Sequence, residues 1–213
     1  MSLSLANGSE LYLHETASQT AGPYLHIGMM PAAAGIETRR RQPGNVLVQP
    51  ATRGERIRIE GIVYDGAGAP VKDALIEIWQ ADADGCHAHP ADRRCSDADP
   101  AFTGFGRAVS DFQSGLWHFE TVKPGAVTGR QGRPMAPHVS VLVFARGINV
   151  ALQTRLYFDD EAAANAADPV LGLIEIASRR DTLLARRSVQ DGQVVYRFDI
   201  HLQGERETVF FDV

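Results

Sequence analysis

Short β-patterned runs separated by glycine and proline fill the chain from residue 56 onward, and almost no stretch repeats with a helical period. Arg56-Ile57-Arg58-Ile59-Glu60 alternates polar and apolar side chains, as a half-buried strand does. Residues 74–79 and Leu116-Trp117-His118-Phe119-Glu120 give two further strands, the second ended by Lys123-Pro124-Gly125. Residues 138–144 form a near-continuous apolar run, expected of a strand covered on both faces. Residues 152–158 follow, and 194–202 is predicted to pair with 208–211, after a tight turn at Asp191-Gly192. Asp65-Gly66-Ala67-Gly68 marks another turn. Helix is expected at 159–167, with acidic residues at its start, and for a turn or two within 180–187. Such a pattern predicts an all-β chain built as a β-sandwich, and it argues against a βαβ protein.

The first 55 residues differ. Gly22-Pro23, Pro31, Gly35, Pro43-Gly44, Pro50 and Gly54 punctuate them, so they read as a long irregular arm on a single domain spanning 1–213. An arm this poor in elements must lie over its own domain or over a partner chain to be ordered. Arg39-Arg40-Arg41 within it reads as a solvated run. With 44% hydrophobic and 22% charged residues the chain can build a core, which excludes wholesale disorder. Its net charge of −5 argues against a nucleic-acid partner. The run from 139 to 145 is too short to cross a bilayer, and the opening MSLSLANGSELYLHE lacks the basic start of a secretory signal. A soluble cytoplasmic protein is expected.

Few side chains suggest chemistry. Cys86, His87, His89 and Cys95 share the loop CHAHPADRRC, but their spacing matches no structural zinc pattern, and a solvated loop with two free thiols is expected. Arg146 closes the most apolar strand. An arginine there either pairs with a carboxylate of its own protein or awaits an anionic ligand. No P-loop, nucleophile elbow, dinucleotide-binding glycine pattern or HExxH motif is present.

Several segments are nevertheless distinctive. Ser18-Gln19-Thr20-Ala21-Gly22-Pro23-Tyr24, Gly61-Ile62-Val63-Tyr64-Asp65, and Leu75-Ile76-Glu77-Ile78-Trp79-Gln80-Ala81-Asp82 come in that order. Phe105-Gly106-Arg107, Thr121-Val122-Lys123-Pro124-Gly125 and Ala136-Pro137-His138 follow. In order and spacing, over nearly the whole chain, they resemble the intradiol ring-cleavage dioxygenases, and most of all the α-type chains of the protocatechuate-cleaving members. The resemblance implies a mixed-topology β-sandwich with short helices. It also implies an oxidative enzyme that opens a dihydroxylated ring between its two hydroxyl-bearing carbons, using O2 and Fe(III).

The family holds its ferric ion with two tyrosines and two histidines, and this chain departs from that set. Where catalytic members read Gly-x-Tyr, Gly85-Cys86 is followed by His87; the second tyrosine place is Val127; the His-x-His pair is His138 with Ser140. One donor of four survives, so the resemblance implies a vestigial metal position in this chain. The iron is then expected in a catalytic β subunit of the same family. Thr20, Ala21, Gly22, Pro23 and Arg146 are expected to border that partner's protocatechuate pocket. Two other readings are weighed against this: a β-sandwich binding module without chemistry, and an autonomous dioxygenase, which the donor count disfavours.

Overall fold

The computed structural model describes residues 19–39, 42–92, 94–129 and 132–212. Residues 1–18, and Arg40 and Arg41 of the basic run, lie outside them. Eleven strands are described: β1 (Arg56–Tyr64), β2 (Leu75–Gln80), β3 (Phe105–Val109), β4 (Leu116–Val122), β5 (Val127–Thr128), β6 (Pro134–Met135), β7 (His138–Phe144), β8 (Leu152–Phe158), β9 (Leu184–Gln190), β10 (Gln193–Arg197) and β11 (Ile200–His201). Three short helices accompany them: α1 (Leu25–Met29), α2 (Ala162–Ala167) and α3 (Ala177–Arg180).

The strands make two layers. One holds β4, β1, β10 and β9, with β11 continuing along β1; the other holds β3, β2, β7 and β8. Only two residue pairs, Tyr157 with Leu184 and Phe158 with Ala185, join β8 to β9 in parallel. The path can therefore fold over there and bring the layers face to face. Between them lie Ile57, Ile59, Trp117, Phe119 and Tyr196 from one layer, and Ile76, Ile78, Val139, Val141, Val143, Leu156 and Phe158 from the other. Parallel pairs of β1 with β10 and β11 sit among antiparallel ones, so the topology is mixed as expected.

Several local expectations are corrected. β7 alternates buried and half-buried residues, so only its Val139, Val141 and Val143 face is sealed; β2 is the strand covered on both faces. Residues 184–187, expected as helix, begin β9 instead, and only 177–183 are helical. Asp191 and Gly192, with φ of 50° and 81°, join β9 to β10 as a two-residue hairpin, so the 194–202 segment pairs with β9 and β1. Of the 208–211 segment, Thr208 stays beside His201, while Phe211 bridges to Gln153 of β8. The acids ahead of α2 do not serve its dipole. Asp160 and Glu161 instead hold Lys123 at 2.9 and 2.7 Å, fixing the end of β4.

The described part of the arm is held by both layers: Asn45 and Leu47 exchange backbone hydrogen bonds with Glu120 of β4, and the stretch up to Met29 lies against the β3-β2-β7-β8 layer. Glu77 on β2 stands opposite Arg107 on β3, and the two form an ion pair with both side chains largely buried. Arg107 also donates to the carbonyl of Met29 at 2.9 Å, which ties α1 to the sheet. Val150 N–H donates to the Gln19 carbonyl at 2.7 Å, and Ala21 N–H to that of Ile148 at 3.2 Å, strapping the arm along the loop after β7. Removing the guanidinium with Arg107→Met leaves Glu77 buried and unpaired, a loss of about 3–5 kcal/mol. Denaturant unfolding checks the size; Glu77→Gln with Arg107→Met should recover much of it.

Candidate functional site

The sheet's period of two places the inward valines of β7 out of phase with His138 and Ser140. These two face away from the core, on the outer surface of the layer. Ser140 is in register with Trp79 on β2 and with Arg155 on β8, and His138 with Tyr157. Two loops rise over this row.

The first loop is built around Asp82, which is buried. Its carboxylate accepts N–H bonds from Asp84 (3.0 Å), Cys86 (2.8 Å) and Asp99 (2.8 Å), while its own N–H donates to the Cys86 carbonyl. Gly85 turns there with φ of 76°, and a Cβ on it would stand 2.1 Å from the Ala126 carbonyl oxygen. The second loop, after Lys123-Pro124-Gly125, therefore lies backbone to backbone on the first. It delivers Val127 on β5 and Met135 on β6 next to His87. Trp79, His87, Asp92, Arg94, Val127 and Met135 line a cavity of about 940 Å³.

Of CHAHPADRRC only Cys86 and His87 at its start are withdrawn from solvent, while Ala88, His89 and Pro90 are exposed. Cys86 is a free, buried thiol whose pKa is raised by burial. The His87 ring stacks on Trp79 with centroids 5.6 Å apart and planes 9° from parallel. Burial lowers the pKa of His87, opposed by the nearby Asp92 carboxylate and the Gln80 carbonyl, and its buried Nδ1 has no partner among the described residues. His138 Nδ1 lies 2.8 Å from the Ala136 carbonyl, which can only accept, so that nitrogen carries the proton. Burial pushes the pKa of His138 down to about 4, helped by the Arg155 guanidinium. Burial likewise raises that of Tyr157, whose hydroxyl donates to Asp168 at 3.2 Å.

The structure thus gathers all four expected metal positions, His87, Val127, His138 and Ser140, around one locus. Their donors do not fit a ferric ion. Val127 offers carbon only, Ser140 a neutral hydroxyl, and the cationic Arg155 stands in register beside it. Among the described residues no three His, Cys, Asp or Glu side chains are grouped to hold a metal.

Thr20, Ala21, Gly22, Pro23 and Arg146 gather elsewhere. Thr20 bridges to Asn149 and Ala21 to Arg146, beyond the end of β7 opposite His138, roughly 25 Å along the strand at 3.3 Å per residue. Arg146 Nε lies 2.7 Å from Asp73 Oδ2, so it has a carboxylate partner of its own. Its side chain is still 64% exposed, with the rest of the fork turned outward. Sequence reasoning missed Arg155, Trp79 and Arg94; the alternation of β8 around Leu156 was the available signal for Arg155.

Residues 37–204 match the family model described as Dioxygenase. The chain is 53% identical over 200 residues to the protocatechuate 3,4-dioxygenase alpha chain of Pseudomonas putida, covering 94% of this chain and 97% of that one. The chain belongs to the intradiol dioxygenase family. Another member, the protocatechuate 3,4-dioxygenase beta chain of Burkholderia cepacia, is 37% identical over 162 residues, 73% of this chain and 67% of that one. The fold agrees with a solved structure, the dioxygenase domain of a dioxygenase–carbohydrate-binding protein fusion from Streptomyces sp. SirexAA-E. That likeness has a TM-score of 0.55 at 22% identity, covering 81% of this chain and 93% of that domain.

Within this intradiol fold His138 gives an acid dependence of definite sign. Its native pKa near 4 lies below the unfolded value of about 6.5. Between those pH values the unfolded chain takes up a proton that the native one refuses. Stability is therefore full above pH 6.5 and falls towards pH 4, by on the order of 3 kcal/mol. His138→Gln should remove that part of the acid loss, read from denaturant midpoints at pH 7 and 4.5; an unaltered slope would refute it.

Proposed function

We propose that this chain is the α subunit of a cytoplasmic heteromeric protocatechuate 3,4-dioxygenase. In the assembled enzyme a β subunit of the same family holds the Fe(III). The reaction adds O2 across the bond between the two hydroxyl-bearing carbons of protocatechuate and gives 3-carboxy-cis,cis-muconate. The observation that carries this reading is the end-to-end likeness to alpha chains, 53% over 94% of the sequence.

Two features of the structure support it. The locus under His87 and His138 lacks the donors for iron, so ring cleavage needs another chain to supply them. The arm residues and Arg146 stand at the far end of β7 from that locus, so the pocket they border belongs to a neighbour. Tyr24, Val46 and Val150, exposed by 75%, 58% and 67%, lie on or beside the arm and leave apolar surface for that neighbour to cover.

Protocatechuate is an anion, and a chain of net charge −5 does not draw it in by its overall field. The outward edge of the Arg146 fork supplies local positive potential, while Asp73 fixes its direction. No proton or ring atom is handled by this chain; its part is to shape the pocket and orient the carboxylate.

Arg146→Ala in the co-expressed complex should cost 10- to 150-fold in kcat/KM for protocatechuate, from about 1.5–3 kcal/mol of charged hydrogen bonding. Most of the loss should fall on KM. Catechol, without the carboxylate, should lose far less, and iron content should stay at that of the unaltered complex. Arg146→Lys should recover part of the rate, because an ammonium lacks the planar fork. Equal losses on both substrates would assign Arg146 to the interface alone.

Metal analysis gives a second check. The chain expressed alone should carry far less than one iron and show no tyrosinate-to-iron colour, while co-expression with a β-type chain should yield iron, colour and activity together. Stoichiometric iron with catechol cleavage by the lone chain would overturn the assignment.

A further inference from the structure

An open sheet edge is a template for another strand, and this chain covers most of its own. The Gly44 carbonyl of the arm accepts the Arg107 N–H on the outer edge of β3, and Asn45 and Leu47 bond to Glu120 on that of β4. Phe211 donates to Gln153 on β8, next to the short seam that joins β8 to β9. Beyond that seam β9 is left uncovered. Residues 186–190 are all exposed, on both faces of the strand, so the β9–β10 hairpin stands clear of the core. Hydrogen bonds show which of its backbone groups look outward. Asp159 Oδ1 accepts the Arg187 N–H, and the Ala185 carbonyl accepts that of Asp159, so the odd-numbered residues of β9 turn away from β10. The Arg187 carbonyl and both backbone groups of Val189 therefore point into the open. The Asp191 N–H joins them, because the Gln190 carbonyl in the same peptide unit is turned inward to Gln193. None of these groups meets a partner among the described residues.

The edge is complementary to itself. A second copy turned about a two-fold axis through Val189 lays its β9 antiparallel to the first, with Val189 opposite Val189, Arg187 opposite Asp191 and Ser188 opposite Gln190. The two Val189 residues then exchange N–H and carbonyl, and each Asp191 N–H meets the other copy's Arg187 carbonyl. Every open group is used. The Arg187 N–H, which needs nothing in this register, is the one Asp159 already holds. The side chains agree as well. Val189, 59% exposed, covers its counterpart, and the Arg187 guanidinium, 3.6 Å from Asp160, gains the Asp191 carboxylate. The acids around it, Asp159, Asp160 and Glu161, are matched one for one by Arg186, Arg187 and Lys123, so Asp191 approaches a neutral cluster.

We propose that the β9 edge is a self-association surface, at which two copies of this chain join their β4-β1-β10-β9 layers into one continuous sheet. The contact uses neither the metal locus nor Arg146, and it does not depend on the proposed function.

Val189→Cys tests it, by setting two thiols across the axis on Cα atoms about 5.5 Å apart, within reach of a disulfide. Mild oxidation of the complex co-expressed with a β-type chain should convert most of this chain into a covalent dimer, above the background set by the unaltered complex. Adding Arg187→Glu replaces two unlike charge pairs by two like ones and should slow the cross-linking about ten-fold. Hydrogen exchange reads the same edge without a new thiol. The Val189 and Asp191 amides, unpartnered within their own chain, should exchange slowly in the unaltered complex and fast once Val189→Glu sets two carboxylates face to face. No dimer above background would overturn the proposal, as would a rate indifferent to Arg187→Glu, which marks random collision. Protected amides without cross-linking would give the edge to a different chain and overturn it equally.

Discussion

The phase of β7 governs what the rest of the molecule can do. Val139, Val141 and Val143 must point inward to close the core with β1, β4 and β10, and the period of two then sends His138 and Ser140 outward. Slipping the strand by one residue would bury a histidine and a serine and expose three valines, so the register is strongly fixed. Because Trp79 and Arg155 flank Ser140 in register, the same phase decides which side chains of β2 and β8 meet at the locus. Core packing thus positions the site without contributing a residue to it.

Carboxylates do for the loops what the valines do for the sheet. Asp82, Asp99 and Asp168, all nearly fully buried, each accept at least two backbone N–H bonds, and Asp92 accepts those of His87 and Arg94. Such bonds favour the ionised form, and they hold the pKa values of Asp92 and Asp99 below the usual range. Loops 82–99 and 168–171 are therefore shaped by buried anions that a hydropathy pattern counts as polar punctuation. Four of the chain's 26 acidic residues thus serve the fold from inside these loops.

This explains what the sequence alone conveyed. Strands β1, β2, β4, β7 and β8 were legible because each carries an apolar face at period two. β9 was not: only Ala185 in its seven residues is buried, and its arginines read as easily as a solvated helix. β3 was hidden because Gly106 and Ala108 form its inward face, where Leu47 and Phe119 lie too close to Gly106 for larger side chains. The incomplete donor set was legible residue by residue from the family resemblance. Its surroundings were not, since nothing in the alternation of β8 says that Arg155 stands beside Ser140. Arg146 was the reverse case: both of its readings were open in the sequence, and the Asp73 contact bears out the carboxylate pair.

The loss of donors also has a physical logic. A ligand set on the outer face of a sheet contributes little to the core, so Val127 and Ser140 can stand there without disturbing the valines of β7. What must be managed is the polar space that remains. Among the described residues it is managed by keeping His138 neutral and by setting the Arg155 guanidinium against a sulfur and a phenol, while His87 Nδ1 has no partner there.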